Sequence, residues 1–227
     1  FASGESSLAK IYTVHNKPDL EAFKVSYLYQ LSTVIGVALA SLAASIVYYI
    51  NIENAWRICF IFGSIAAIFG FYTRKRFPKI NLSKGLPILE FNFNTGLRAI
   101  KGNIKVMLLI ALVNSYSHLT YVLPFVVLNQ LVPLITDLSL STMMQVNNLL
   151  LIIDLIAIPL IGYYTRTWKP KNLMILSSLI LAISSIPSWY FLEGSSLLYI
   201  STLRIWLVFW GVIFLNPMNV WCSNQIK

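Results

Sequence analysis

The placement of positive charge constrains this chain more than any other feature. Apolar runs long enough to cross a membrane alternate with short linkers, and every second linker holds Lys and Arg while the others hold none. Hydrophobic residues fill 57% of the 227 positions, charged residues only 11%, and the mean hydropathy is +0.72. That balance lies far from an ordinary soluble domain and makes lipid the expected solvent. The net charge of +9 does not point to a nucleic-acid partner. Such binding needs a contiguous basic face, whereas these cations are confined to linkers.

A hydrocarbon core of about 30 Å takes about 20 apolar residues as helix. The runs that qualify are Val25 to Ile50, Ala55 to Thr73, Val106 to Leu128, Met143 to Tyr164, Leu173 to Leu192 and Leu197 to Trp221, which predicts six complete spans. Phe1 to Val14 is mildly apolar, too short to cross and without a basic leader; it reads as the second half of a seventh helix. The fold class expected is therefore an all-α polytopic membrane protein.

Linker charge predicts the orientation. The segment His15 to Lys24 carries Lys17 and Lys24. Arg74 to Lys105 carries eight cations, and Thr165 to Asn172 carries Arg166, Lys169 and Lys171. These three are expected on the cytoplasmic side. Asn51 to Asn54, Asn129 to Thr142 and Glu193 to Ser196 hold Glu53, Asp137 and Glu193 with no Lys or Arg, and are expected outside. The overlong linker divides the chain into residues 1–73, 74–105 and 106–227, with helices bundled on either side. Within it Leu86 to Lys105 is partly apolar and partly basic, which suits either an interfacial amphipathic segment or a solvated tether.

Two bundles joined by one long cytoplasmic linker is a transporter plan, and particular residues carry a resemblance. The run Ala55-Trp56-Arg57-Ile58-Cys59-Phe60, in a helix ending Gly70-Phe71-Tyr72-Thr73-Arg74, resembles the ends of the sixth helix in the metabolite:proton symporters of the major facilitator superfamily, to which proline/betaine transporters belong. Ser3-Gly4-Glu5 resembles the Gly-Glu signature of that family's fourth helix, Pro18-Asp19 the loop after it, and Gln30 and Gly36 positions early in the fifth. The resemblance implies helices four to ten of a twelve-helix fold, a partial major-facilitator architecture, and a place in the inner (plasma) membrane. It implies proton-coupled transport of a small polar or zwitterionic solute, such as an osmolyte or an organic acid, by alternating access. The alternative expectation is a truncated or split remnant without transport activity, the missing helices being absent or supplied as a separate chain. Three positions depart from the family pattern: His15 where an acidic residue is usual, Leu20-Glu21-Ala22 in place of a basic cluster, and Arg166 at the usual Asp of the loop after the eighth helix.

Charges inside spans mark the candidate mechanism, since each costs about 2.5–3.5 kcal/mol near a helix centre unless it meets a cavity or a partner. Glu5 is a candidate for taking up and releasing the coupling proton, and Lys10 either joins it or snorkels to the inner surface. Asp154 lies seven residues from Asn147, so both project from one face. It is a candidate to bind an ammonium group, to carry the proton, or to pair with Arg204. Arg204 suits anion binding, charge pairing or snorkelling. Arg57 reads as an interfacial anchor.

Asn114, His118 and Tyr121 fall at spacings of four and three on one helical stripe. His118 is either a titrating group or a hydrogen-bonded packing residue. Pro124, Pro159 and the tract Asn216-Pro217-Met218-Asn219 interrupt the backbone ladder inside spans, as hinges or as kinks. Trp206 and Trp210 form a mid-span pair with lipid-facing packing as the default reading, while Tyr48, Tyr49, Trp56, Trp168, Trp189, Tyr190 and Trp221 suit an interfacial belt. Cys59 and Cys222 make neither a disulfide framework nor a metal site. No phosphate loop, metal pair or activated nucleophile is legible, so neither an enzyme nor a cofactor is expected. The expected partners are a solute, a proton and the bilayer.

Overall fold

The computed structural model describes residues 19–49, 55–76 and 101–225. Those residues form α1 (Asp19–Tyr49), α2 (Ala55–Arg76), α3 (Ile104–Val122), a π-helical turn (Leu123–Val127), α4 (Leu128–Ile135), α5 (Leu140–Thr165), α6 (Pro170–Tyr190) and α7 (Leu197–Gln225), with no strand among them. Among the described residues, five helical stretches are long and apolar enough to cross a membrane: Glu21–Val47, Ile104–Ile135, Leu140–Thr165, Pro170–Tyr190 and Leu197–Cys222. The chain is thus an all-helical protein of integral-membrane character.

Two compact units divide the chain, one of Phe1–Leu39 with Leu109–Lys227, the other of Ala40–Leu108. The second contains α2, expected as a full span. Its described apolar stretch, Arg57–Tyr72, is shorter than the five others. Lys75 lies over the Phe71 ring, 4.7 Å from its centroid. Phe1 to Val14, with Glu5 and Lys10, His15, and residues 77–100 of the long linker lie outside the described residues.

The first unit is built around α7, whose residues 211–220 are buried without interruption. Its side-chain contacts set the register of its neighbours. Arg204 meets Asn147 and Asn216 meets Ile158, so α5 runs parallel to α7. Thr120 approaches Gly211 and Tyr116 meets Phe214, so α3 runs antiparallel. Ser184 meets Trp206 and Ser188 meets Tyr199, so α6 does likewise. These directions bring Arg166, Lys169 and Lys171 to one end of the unit and Asp137 and Glu193 to the other.

Exposure follows the inverse of a water-soluble pattern. Leu134, Ile183 and Ile186 are 81%, 74% and 77% exposed, whereas Asp154, Ser177, Arg204 and Asn216 are all at 0%. Hydrocarbon solvates aliphatic surfaces freely and polar side chains poorly, so the polar groups turn inward.

The third expected span and the linker after it are redrawn. Helical structure continues past Leu128 through Asn129 and Gln130 to Ile135, leaving only residues 136–139 as the link to α5. Pro124 has no N–H and its ring crowds the preceding turn. The chain absorbs both by widening into a π turn, in which the Leu128 N–H bonds the Leu123 carbonyl, and then resumes as α4. Pro159 and Pro217 sit inside continuous helices, so neither ends a span. The other ends obey ordinary chemistry: Ser139 caps α5 by accepting from the Thr142 N–H at 3.2 Å, Pro170 occupies the first turn of α6, and Gly194 takes φ 67° in the turn between α6 and α7.

Small residues allow the closest crossings. A Cβ at Gly162 would lie 2.8 Å from Cγ and Cδ1 of Tyr27, and one at Gly211 would lie 3.3 Å from Cβ of Thr120. The atoms at Tyr27 belong to the root of a ring and cannot swing aside. Gly162→Ala should therefore lower the thermal unfolding midpoint in detergent, overpacking costing about 1–3 kcal/mol. Gly36→Ala, with nothing within 4 Å of its Cβ position, should leave the midpoint unchanged or raise it through helix propensity.

Candidate functional site

Polar side chains inside the first unit gather at three levels along the parallel pair α5 and α7. At the first level the Arg204 guanidinium is fully buried and its Nη2 donates to Oδ1 of Asn147 at 2.6 Å. Its Nε and Nη1 have no hydrogen-bond partner. A neutral amide is thus the group bonded to this cation. An ion removed from water without a counter-charge costs several kcal/mol, so the guanidinium leaves a strong demand for an anion.

One helical repeat deeper, about 10 Å along α5 at 1.5 Å per residue, lies the second level. Here the Tyr121 hydroxyl of α3 donates to Oδ2 of Asp154 on α5. The Gln30 side chain of α1 lies near the same hydroxyl. Phe125 stacks on the Tyr121 ring with centroids 5.3 Å apart and holds its direction. Oδ1 of Asp154 has no partner, although the residue is 0% exposed.

A third level ties α1, α5 and α7 together. Asn219 donates from Nδ2 to the Ser26 hydroxyl at 3.0 Å, that hydroxyl donates to the Asn216 carbonyl at 3.1 Å, and Asn216 Nδ2 donates to the Ile158 carbonyl at 3.3 Å. The Asn216-Pro217-Met218-Asn219 tract thereby anchors the helices through its amides.

The residues singled out from sequence separate accordingly. Gln30, Tyr121 and Asp154 are brought into one network, and Asn147 and Arg204 into another. Asp154 and Arg204 do not pair with each other, since each hydrogen bond goes to a neutral group. The stripe Asn114, His118, Tyr121 divides. Asn114 donates to the Ile110 carbonyl of its own helix at 3.0 Å, and His118 faces outward, exposed. The α3 helix turns Tyr121 and the small Ser117 and Thr120 into the bundle, beside Tyr116 on Phe214. Trp206 and Trp210 meet edge to face at 5.7 Å, and Trp206 donates to the Ser184 hydroxyl at 3.1 Å. Ser26 was not foreseen as a site residue, and a lone serine early in an apolar run carries no signal of its partner. Among the described residues no three His, Cys, Asp or Glu side chains cluster to hold a metal.

These networks predict distinct energetics. Tyr121→Phe leaves Asp154 without its donor and should destabilise the protein by about 1–3 kcal/mol. Combined with Asp154→Asn in a double-mutant cycle of unfolding midpoints, it should show coupling of about 0.5–3 kcal/mol. Asn114→Ala, which breaks only a bond within its own helix, should couple to neither. Comparison of the chain with protein-family models, with curated proteins and with solved structures finds no match.

Proposed function

We propose that this chain carries the solute and proton sites of a secondary transporter, moving a small polar or zwitterionic solute together with a proton by alternating access. The observation that supports this reading is the pair of fully buried ionisable groups, Asp154 and Arg204, each held by a neutral partner and each left with unpaired polar atoms. Structural ion pairs satisfy one another; these two are kept apart, about 10 Å along α5 by helix rise.

Charge balance supplies the coupling. With Asp154 ionised and Arg204 charged the site sums to zero. A monoanionic organic acid whose carboxylate is received by the free Arg204 donors adds one negative charge, and protonation of Asp154 removes it. Low dielectric penalises every unbalanced state, so such a carboxylate and a proton travel together; a zwitterion brings its own cation and leaves the site balanced only while Asp154 stays ionised. Pro124 with its π turn, and Pro159 and Pro217 inside α5 and α7, are points where the helices can bend as access changes. The motif resemblance to the major-facilitator metabolite:proton symporters favours the same reading. It adds an inner-membrane location with the Arg74 to Lys105 linker on the cytoplasmic side.

The full chain in proteoliposomes should accumulate labelled proline, betaine or succinate in a saturable manner that rises when the outside is acidified. Asp154→Asn should abolish the response to the proton gradient and Arg204→Gln should abolish uptake, while His118→Gln should leave both intact. Uptake indifferent to the gradient overturns symport, and full activity in the Arg204 variant removes that residue from the site. For orientation, single cysteines placed at Thr167 and Ser195 should react with a membrane-impermeant maleimide on opposite sides in right-side-out vesicles, Ser195→Cys from outside. The reverse pattern would overturn the assigned sidedness.

A further inference from the structure

A groove of about 500 Å³ opens between α3, α6 and α7 at the cationic end of the first unit. Its floor is Met174 and Phe214, 6% and 4% exposed, with the Phe214 ring fixed edge-on to Tyr116 at 4.7 Å. Ser178 also lines it, but its hydroxyl is spent on the Ile175 carbonyl at 2.9 Å, so the floor presents no free donor. At the mouth stand Lys171 and Trp221. Lys171 is the one charged lining residue and has no ion-pair partner among the described residues.

We propose that this groove binds an anionic phospholipid, with the headgroup phosphate against Lys171 and one acyl chain laid along Met174 and Phe214. An occupant must be apolar over most of its length and negative at one end, because the groove has that sequence of surfaces. Lys169, two residues away and exposed, adds to the same field at the first turn of α6, where the helix dipole is also positive. Trp221 sits where an aromatic ring meets the headgroup level. Basic pockets between spanning helices at a membrane face select acidic headgroups in this way. A second copy of the chain fits poorly: side by side in one orientation it would bring its own cationic end against Lys171, since Asp137 and Glu193 lie at the opposite end of the unit. The site makes no use of Asp154 or Arg204 and stands independently of the transport reading.

The test uses the full chain in neutral detergent, titrated with phosphatidylglycerol or phosphatidylcholine whose chains are brominated so that they quench nearby tryptophan. Quenching of Trp221, isolated by subtraction of the Trp221→Phe variant, should saturate at lower concentration with phosphatidylglycerol. Lys171→Gln should reduce that preference roughly fivefold, the effect of one cation near a headgroup, while Lys24→Gln, outside the groove, should leave it unchanged. Ser178→Phe should fill the groove and remove quenching by both lipids, with an unchanged unfolding midpoint as its control. Equal quenching by the two lipids, an undiminished preference in Lys171→Gln, or displacement by inorganic phosphate alone would overturn the proposal. So would a stable dimer from which lipid is excluded.

Discussion

The first unit depends on keeping the polar atoms of α7 out of hydrocarbon. Arg204, Asn216 and Asn219 are all buried on this helix, and each reaches a neighbour: Arg204 to Asn147, Asn216 to the Ile158 carbonyl, Asn219 to Ser26. Apolar contact alone would not choose these partners, since lipid tails solvate Leu and Ile as well as another helix does. Directional bonds therefore fix the register of α5 and α1 against α7. Close crossings add to the packing of the same unit, Gly162 of α5 against Tyr27 of α1 and Gly211 of α7 against Thr120 of α3.

Rigid anchoring at one level sits beside incomplete satisfaction at the other two. The Ser26, Asn216 and Asn219 junction spends most of its hydrogen-bonding groups locally, although Oδ1 of Asn216 remains unpaired. The Arg204 and Asp154 levels hold formal charges with only one neutral bond or a short neutral chain each. Charge in a low-dielectric interior is stabilised or penalised over longer distances than in water, so changes at one of these groups are felt at the other. The proposed exchange of ligand and proton rests on this incomplete satisfaction.

Much of the architecture was legible in the residues. Span positions follow from apolar length, and the alternation of Arg166, Lys169 and Lys171 with Asp137 and Glu193 corresponds to opposite ends of the folded unit. The seven-residue spacing of Asn147 and Asp154 put both on one face of α5, and in the fold Asn147 reaches Arg204 while Asp154 is buried. The helix beyond Leu128 was not legible, because Asn129, Gln130 and Pro133 carry the local signals of a loop. Their helical state rests on tertiary burial of Leu128 and Val132 and on the π turn at Pro124. His118 misled because a spacing of four and three defines a broad stripe, whereas the inward edge of α3 runs through Ser117, Thr120 and Tyr121 and leaves His118 exposed beside it.

Composition and charge order by themselves determined that this chain is helical, membrane-embedded and polarised end to end, since those properties depend on transfer free energies summed over contiguous residues. Partnership among the polar side chains was decided only by the folded bundle. Asp154 binds Tyr121 and Arg204 binds Asn147 because the parallel register of α5 and α7 sets residue 204 beside residue 147 and leaves Asp154 a full helical repeat deeper. That register arises from amide bonds between segments 57 and 58 residues apart in the chain, a separation over which no local pattern carries information.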